Sequence, residues 1–246
     1  MPNWCYNYMT VMGNKRDLRK FIMDIEADEQ PNPRHKEYDL NKLVPLDPQA
    51  SVTRTHTRTD ENGKETTHTY TVFASKTDDG FDGYAHANDL WGSKWGACRP
   101  EIDDPTPVNN SISIRYETAW CPADGLIRNI SSLYPKLIFG VSSDEESRAF
   151  VCWQVFHNGQ IIEEGERDPN FLTPELRELS AKAEAEDAPE EALEAWWEAH
   201  SEWNNYLMEQ CDDDMGTVMS EYKKHLAYVR RCEKEGRTPR TFISSV

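Results

Sequence analysis

The stretch WCYNYMTVMG, Trp4 to Gly13, leaves a fold the least room for choice. Cys5, Asn7, Met9 and Val11 alternate with Trp4, Tyr6, Tyr8 and Thr10, the period of an extended strand, and both of its sides are semi-apolar. The period then changes. Asn14 stands three residues before Asp17, a helix-starting pattern, and Leu18, Phe21, Ile22 and Ile25 follow at helical spacing. Asn7 shares its side with Met9 and Val11, so a helix packed there buries its amide, which then needs hydrogen-bond partners. It reads as a structural amide tying down a neighbouring loop, with a ligand contact as the alternative.

Further along, SISIRYET (Ser111 to Thr118) places Ile112, Ile114, Tyr116 and Thr118 on one face of a second core strand. Leu126, Ile127, Ile130 and Leu133 make a short helix closed by Pro135, and KLIFGV is a third strand. Two more strands flank Asn158-Gly159, a type I′ turn pair. Between the first helix and the second core strand lies a long insertion. It holds the proline-punctuated LNKLVPLDP and then a polar, threonine-rich hairpin turning at Asn62-Gly63, which puts Thr55 opposite Tyr70 and Thr57 opposite His68. The face carrying Arg54, His56 and Arg58 is either simply solvated or a ribbon for phosphates or an acidic protein. This order predicts an α+β sandwich of the split βαβ kind: an antiparallel sheet with two helices on one face and an inserted β-hairpin at about 52–74. Residues 1–168 form this domain and 169–246 an acidic, all-α C-terminal appendage.

Thr173-Pro174 opens one helix of that appendage, and Asp187, Pro189 and Glu190 open a second, with Leu193, Trp196, Trp197, His200, Trp203 and Leu207 on one stripe. A third carries Val218, Met219, Tyr222, Leu226 and Val229 and ends at Gly236. These stripes need a cover, which makes self-association through the C-terminal helices one solution. The formal charge is −17 in 246 residues, and most of it sits here: Thr173 to Asp214 holds fourteen acidic and two basic residues. Such a surface disfavours nucleic acid and anionic membranes and favours a basic protein partner. No apolar run approaches the roughly 18 residues of a spanning helix, and no basic and apolar leader opens the chain, so a cytoplasmic protein is expected. The six cysteines are scattered, without Cys-x-x-Cys, and read as thiols. A zinc site from Cys98, Cys121 and His86 lacks ligand-pair spacing. No cofactor is expected.

The stretch NDLWGSKWGACRPE holds the most telling side chains. Trp91 and Trp95, joined by Trp120, either form an aromatic cluster crossed by the Lys94 stem and sealing the open end of the core, or line a concave site with Lys94, Asn7, Thr118 and Arg99 as polar contacts. Gly92 and Gly96 allow the tight backbone a cluster needs.

The fragments MPNWCYNYMTVMG, VPLDP, NDLWGSKWGA and YETAWCPADGL together resemble the YubB-type ferredoxin-like domain family of phages and conjugative plasmids, over roughly residues 1–165. That family's loop reads W-G-T-K-W-D-A and its later motif T-A-W-S-P-P. Here Gly96 replaces the Asp, and Cys121 and Ala123 replace Ser and Pro, so no role rests on a loop carboxylate. The resemblance implies a ferredoxin-like fold without an iron-sulfur cluster and an origin in a mobile genetic element. It implies no reaction. Gly-rich phosphate loops, His-Glu-x-x-His and nucleophile elbows are absent from the sequence, and a Cys121–His86 pair is the one nucleophile arrangement left open. The expected function is therefore non-enzymatic: an accessory protein that binds and modulates a host or defence protein in the host cytoplasm, through the acidic helices (Glu191, Glu194, Glu198) or the tryptophan loop. The alternative is a single-stranded nucleic-acid module stacking bases on Trp4, Tyr6 and Tyr8.

Overall fold

The computed structural model describes residues 2–29, 36–59, 64–76, 80–102, 104–170, 172–185 and 188–246. The first strand, β1 (Trp4–Met12), leads into α1 (Lys15–Ile25), whose cap is Asn14: its side-chain oxygen accepts from the backbone N–H of Arg16 and Asp17 at 3.0 and 3.1 Å. The insertion supplies a separate two-stranded ribbon, β2 (Ser51–Thr59) and β3 (Glu65–Phe73). A helix α2 (Gly83–Trp91) and a short strand β4 (Cys98–Ile102) follow. Then come β5 (Ser111–Ala119), α3 (Asp124–Leu133), β6 (Ile138–Glu145), β7 (Val151–His157) and β8 (Gln160–Arg167), and lastly α4 (Pro174–Ala183) and α5 (Glu190–Lys234).

Six strands form one antiparallel sheet in the order β4-β5-β1-β6-β7-β8. Chain order β1, α1, β4, β5, α3, β6 with spatial order β4-β5-β1-β6 is the split βαβ arrangement, and β7–β8 extend it as a hairpin about Asn158 and Gly159. The expected ferredoxin-like α+β fold is present. Met9, Val11, Ile112, Ile114 and Phe139 point to one face, where α1 and α3 bury Leu18, Phe21, Leu126, Ile127 and Ile130 against them.

The sequence reading lacks α2 and β4. The helix α2 is capped by Asp82, which accepts from the N–H of Tyr84 and Ala85, and it joins the same core through Ala87 and Trp91. The ribbon's register also differs by one residue: Thr55 pairs with Thr69 and Thr57 with Thr67. A two-residue turn at Asn62-Gly63 would pair 61 with 64, whereas the observed ladder closes at Thr59 and Glu65; the turn itself lies outside the described residues.

The second face of the sheet is covered by α5. Leu207, Cys211, Met215, Val218 and Met219 bury themselves against Ile138, Val151, Trp153 and Val155. Helix and sheet approach closely at Gly140, where an added methyl group would strike the sulfurs of Met215 and Met219. Where two helices were expected there is one of 45 residues. The buried positions 207, 211, 215, 218 and 219 keep helical spacing straight past the Asp212–Asp214 triplet, so the stripe never breaks, and a methyl group added at Gly216 would point into open space. Trp203 and Tyr222 are thus covered by the chain's own sheet, while Leu193 and Trp197, placed on the same stripe from sequence, are exposed. The start proposed at Asp187 lies outside the described residues, and the helix cap is Pro189. Among the described residues no helix is long and apolar enough to cross a membrane.

Candidate functional site

The tryptophan loop connects three elements at one end of the sheet. Helix α2 stops at Gly92 in the left-handed conformation, Gly96 repeats that conformation, and β4 starts two residues later. On the neighbouring chain segment β5 ends at Ala119, and Trp120 turns the backbone toward α3.

Beneath the loop lies a buried polar network. The Asn7 amide donates to the carbonyls of Cys5 and Tyr116 at 2.9 and 3.3 Å and to Thr118 Oγ1 at 3.0 Å, and Ser143 Oγ donates to its oxygen at 2.8 Å. The Thr118 hydroxyl in turn donates a hydrogen bond to the Cys121 carbonyl at 2.7 Å. Ser93 Oγ accepts from the Ala119 N–H and donates to its carbonyl, both at 3.3 Å. Asn7, Ser93 and Thr118 are buried, so within this network Asn7 acts as the structural amide that fixes the loop after β5.

The two loop indoles separate. Trp91 is 7% exposed, packs in the α1–α3 core and donates through Nε1 to the Val44 carbonyl at 2.8 Å. Trp95 instead joins a surface rank: its ring centroid is 6.0 Å from Trp4 and 6.2 Å from Trp120, the latter nearly parallel. Trp120 is 45% exposed. Cations border the rank at both ends. The Lys94 ammonium lies 4.6 Å from the Trp95 ring centre and 5.5 Å from that of Trp120, and the Arg99 guanidinium 4.9 Å from Trp4. The cluster and the binding wall weighed from sequence therefore describe different residues: Trp91 seals the core, and Trp95 and Trp120 face outward. Trp4 and Tyr84, whose ring lies 5.8 Å from the Lys94 ammonium, are partners the sequence reading leaves out of the cluster. Their signals were the outward register of β1 and the Asp82 cap placing Tyr84 in the first turn of α2.

Next to the rank the sheet is uncovered. On the β4-β5-β1 half of the face that α5 occupies elsewhere, Tyr6 and Tyr8 are 36% and 44% exposed. Register aligns Tyr6 with Glu117 and Asp144, and Tyr8 with Arg115 and Ser142. The arginines are paired, Arg99 with Glu117 at 2.8 Å and Arg115 with Glu101 at 3.6 Å. Burial, then the carboxylates around them, push the phenols of Tyr6 and Tyr8 up, and burial also raises Asp144.

A second concavity, of about 550 Å³, opens between the start of α3 and β7–β8 and is lined by Cys121, Asp124, Cys152, Gln154, Glu164 and Glu166. Burial pushes the Cys152 thiol up to about 12 and raises Cys121 and Cys98 as well, so these groups stay protonated and weakly nucleophilic at neutral pH. Cys121 donates to the Gly92 carbonyl, while His86 Nε2 accepts from the Asp47 N–H; the Cys121–His86 nucleophile pair is not assembled. Among the described residues no group of three or more His, Cys, Asp or Glu side chains is arranged to hold a metal ion. Glu191, Glu194 and Glu198 stand exposed on α5, and no hydrogen bond, ion pair or ring contact among the described residues joins them to the indoles.

Residues 94–190 match the family described as "Ferredoxin-like domain in Api92-like protein". The strand β1 lies outside the matched stretch yet sits between β5 and β6 inside it, so both belong to one sheet. No curated protein matches the chain. The crystal structure of a protein Api92 from Yersinia pseudotuberculosis aligns over 68% of this chain and 98% of that one, with 10% sequence identity and a TM-score of 0.41.

Proposed function

We propose that this protein is a non-catalytic binding factor, carried by a phage or plasmid as the YubB-type resemblance implies, and that it engages a basic surface of a host or defence protein in the cytoplasm through the first turns of α5. The carrying observation is the placement of charge beside exposed apolar groups. Glu190, Glu191, Glu194 and Glu198 are all exposed, and between them Leu193 is 41% and Trp197 58% exposed. Carboxylates steer a cationic partner in, and a half-exposed indole supplies the area that holds it. Trp197 already carries one guanidinium, that of Arg148, 5.3 Å from its ring centre. The test is affinity purification of the full chain from host cells beside a variant with glutamine at 190, 191, 194 and 198. A basic protein should come down with the wild type, elute with salt and be missing with the variant. The same proteins recovered by both would refute the reading.

One observation favours a second reading, single-stranded nucleic acid stacked on Trp4, Tyr6 and Tyr8: that half of the sheet is open. Against it, both arginines there are held by carboxylates, and phosphate neutralisation dominates such binding. A salt-sensitive shift of a labelled oligonucleotide would establish it.

A further inference from the structure

The loop holds an ammonium group whose placement neither reading explains. Lys94 Nζ stands within 5.8 Å of three ring centres, those of Trp95, Trp120 and Tyr84, and among the described residues it has no carboxylate partner. In a chain of net charge −17, a lysine kept on aromatic faces instead of in an ion pair marks a site whose chemistry is cation–π.

The walls of this site are fixed. Trp120 has φ 67°, a left-handed conformation that is strained for a bulky residue and persists only when its surroundings over-determine it. They do so here. The Trp120 N–H donates to the Asn3 carbonyl at 2.9 Å, Ser93 grips the residue before it, and Thr118, held by Asn7, grips the residue after it. A buried network thus holds a half-exposed indole nearly parallel to Trp95, with the cation beside both. Tyr84 closes the third side from the capped first turn of α2.

We propose that Tyr84, Trp95 and Trp120 form a cage for a lysine or arginine side chain of a partner, with Lys94 as the resident cation that swings out to solvent when the partner's cation enters. That the partner is a basic protein rests on the function proposed above; that the cage takes an organic cation does not. Being tethered, Lys94 competes as an intramolecular ligand, so removing it raises the apparent affinity for an external cation by the reciprocal of the free fraction, about tenfold if the cage is nine-tenths filled.

The experiment titrates the full chain with tetramethylammonium chloride, follows tryptophan fluorescence, and uses neopentyl alcohol as the neutral isostere. Lys94→Ala should show a saturable change at about tenfold lower concentration than the wild type. The alcohol should give none. Trp120→Ala and Tyr84→Ala, placed in the Lys94→Ala background, should abolish or weaken it, and Trp120→Phe should restore part of it. No saturable response in a Lys94→Ala protein with native circular dichroism would overturn the proposal, as would an equal response to the alcohol. Quenching of the wild type by a thymidine oligonucleotide, lost with salt and with Trp120→Ala, would also overturn it and assign the rank to nucleic acid. The glutamine variant of α5 should leave the tetramethylammonium curve unchanged, so the two proposals fail separately.

Discussion

Replacing Trp91 by alanine tests the division between the inward and outward indoles. The side chain is almost fully buried among Ala87, Val44 and the α3 leucine and isoleucines, so its removal costs the transfer of an indole plus the cavity left behind, about 3 to 5 kcal/mol. The Nε1 bond to the Val44 carbonyl is lost too. Water can reach that carbonyl through the opened cavity, so this adds only about 1 kcal/mol. A total of about 5 kcal/mol, at roughly 2 to 4 °C per kcal/mol for a chain of this size, lowers the melting temperature by about 10 to 20 °C. Urea denaturation followed by far-ultraviolet circular dichroism gives the free energy and calorimetry the temperature. Trp120→Ala is the comparison. That indole is half exposed and its backbone strained, so its loss should fall within about 1 kcal/mol of neutral. A Trp91→Ala protein melting within about 3 °C of the wild type would refute the argument, since it would mean this indole is not part of the core.

Three other outcomes are expected. His157, facing Tyr222 of α5, and His200, on α5 beside Arg148, have pKa values lowered first by burial, so the folded state resists their protonation. Their contribution to stability is present above the unfolded value of about 6.5 and is lost as pH falls through the lower folded values; denaturant midpoints should drop from pH 7 to 5, and less so in His157→Gln. Gly140→Ala forces a methyl group against Met215 and Met219 and should cost about 1 to 3 kcal/mol by overpacking, measured by the same urea melts; unchanged stability would show that α5 does not pack that closely. Cys5 and Cys211 should react with Ellman's reagent at pH 8 only after denaturation, because both are buried and burial raises both thiols, Cys211 to about 11; rapid native labelling of either would contradict that burial.

How much of this was legible depended on whether one period dominated a segment. β1, α1, β5 and α3 each carry one dominant period, the β7–β8 hairpin carries its Asn158-Gly159 turn despite a register shift at Val155 and Phe156, and each lies where the pattern puts it. Helix α2 has only nine residues and two apolar anchors, Ala87 and Trp91, facing the core, so its signal is drowned by the tryptophans and glycines after it. β4 contains Pro100 and a register irregularity between Cys98 and Glu101, features of an edge strand that disguise it as loop. At the site, sequence brought out Trp91, Trp95, Trp120 and Lys94 together but not which indole turns inward. That is decided by Val44 offering a carbonyl to Trp91, a contact across 47 positions of chain that no local pattern encodes.

The length of α5 has a consequence of its own. At 1.5 Å per residue its 45 residues extend about 68 Å, whereas six strands spaced about 4.8 Å apart span only about 24 Å across. A rod that long outruns this width: its residues from Trp203 to Leu226 pack on the sheet, and α4 is a further neighbour. The helix's first turns nonetheless stay at the sheet's end, where Arg148 reaches Trp197, His200 and Ser201 while its neighbours Glu146 and Ser147 bond Trp4 and Asn3; a body clasping the start of α5 would lie beside the tryptophan rank, and the two surfaces would share neighbours.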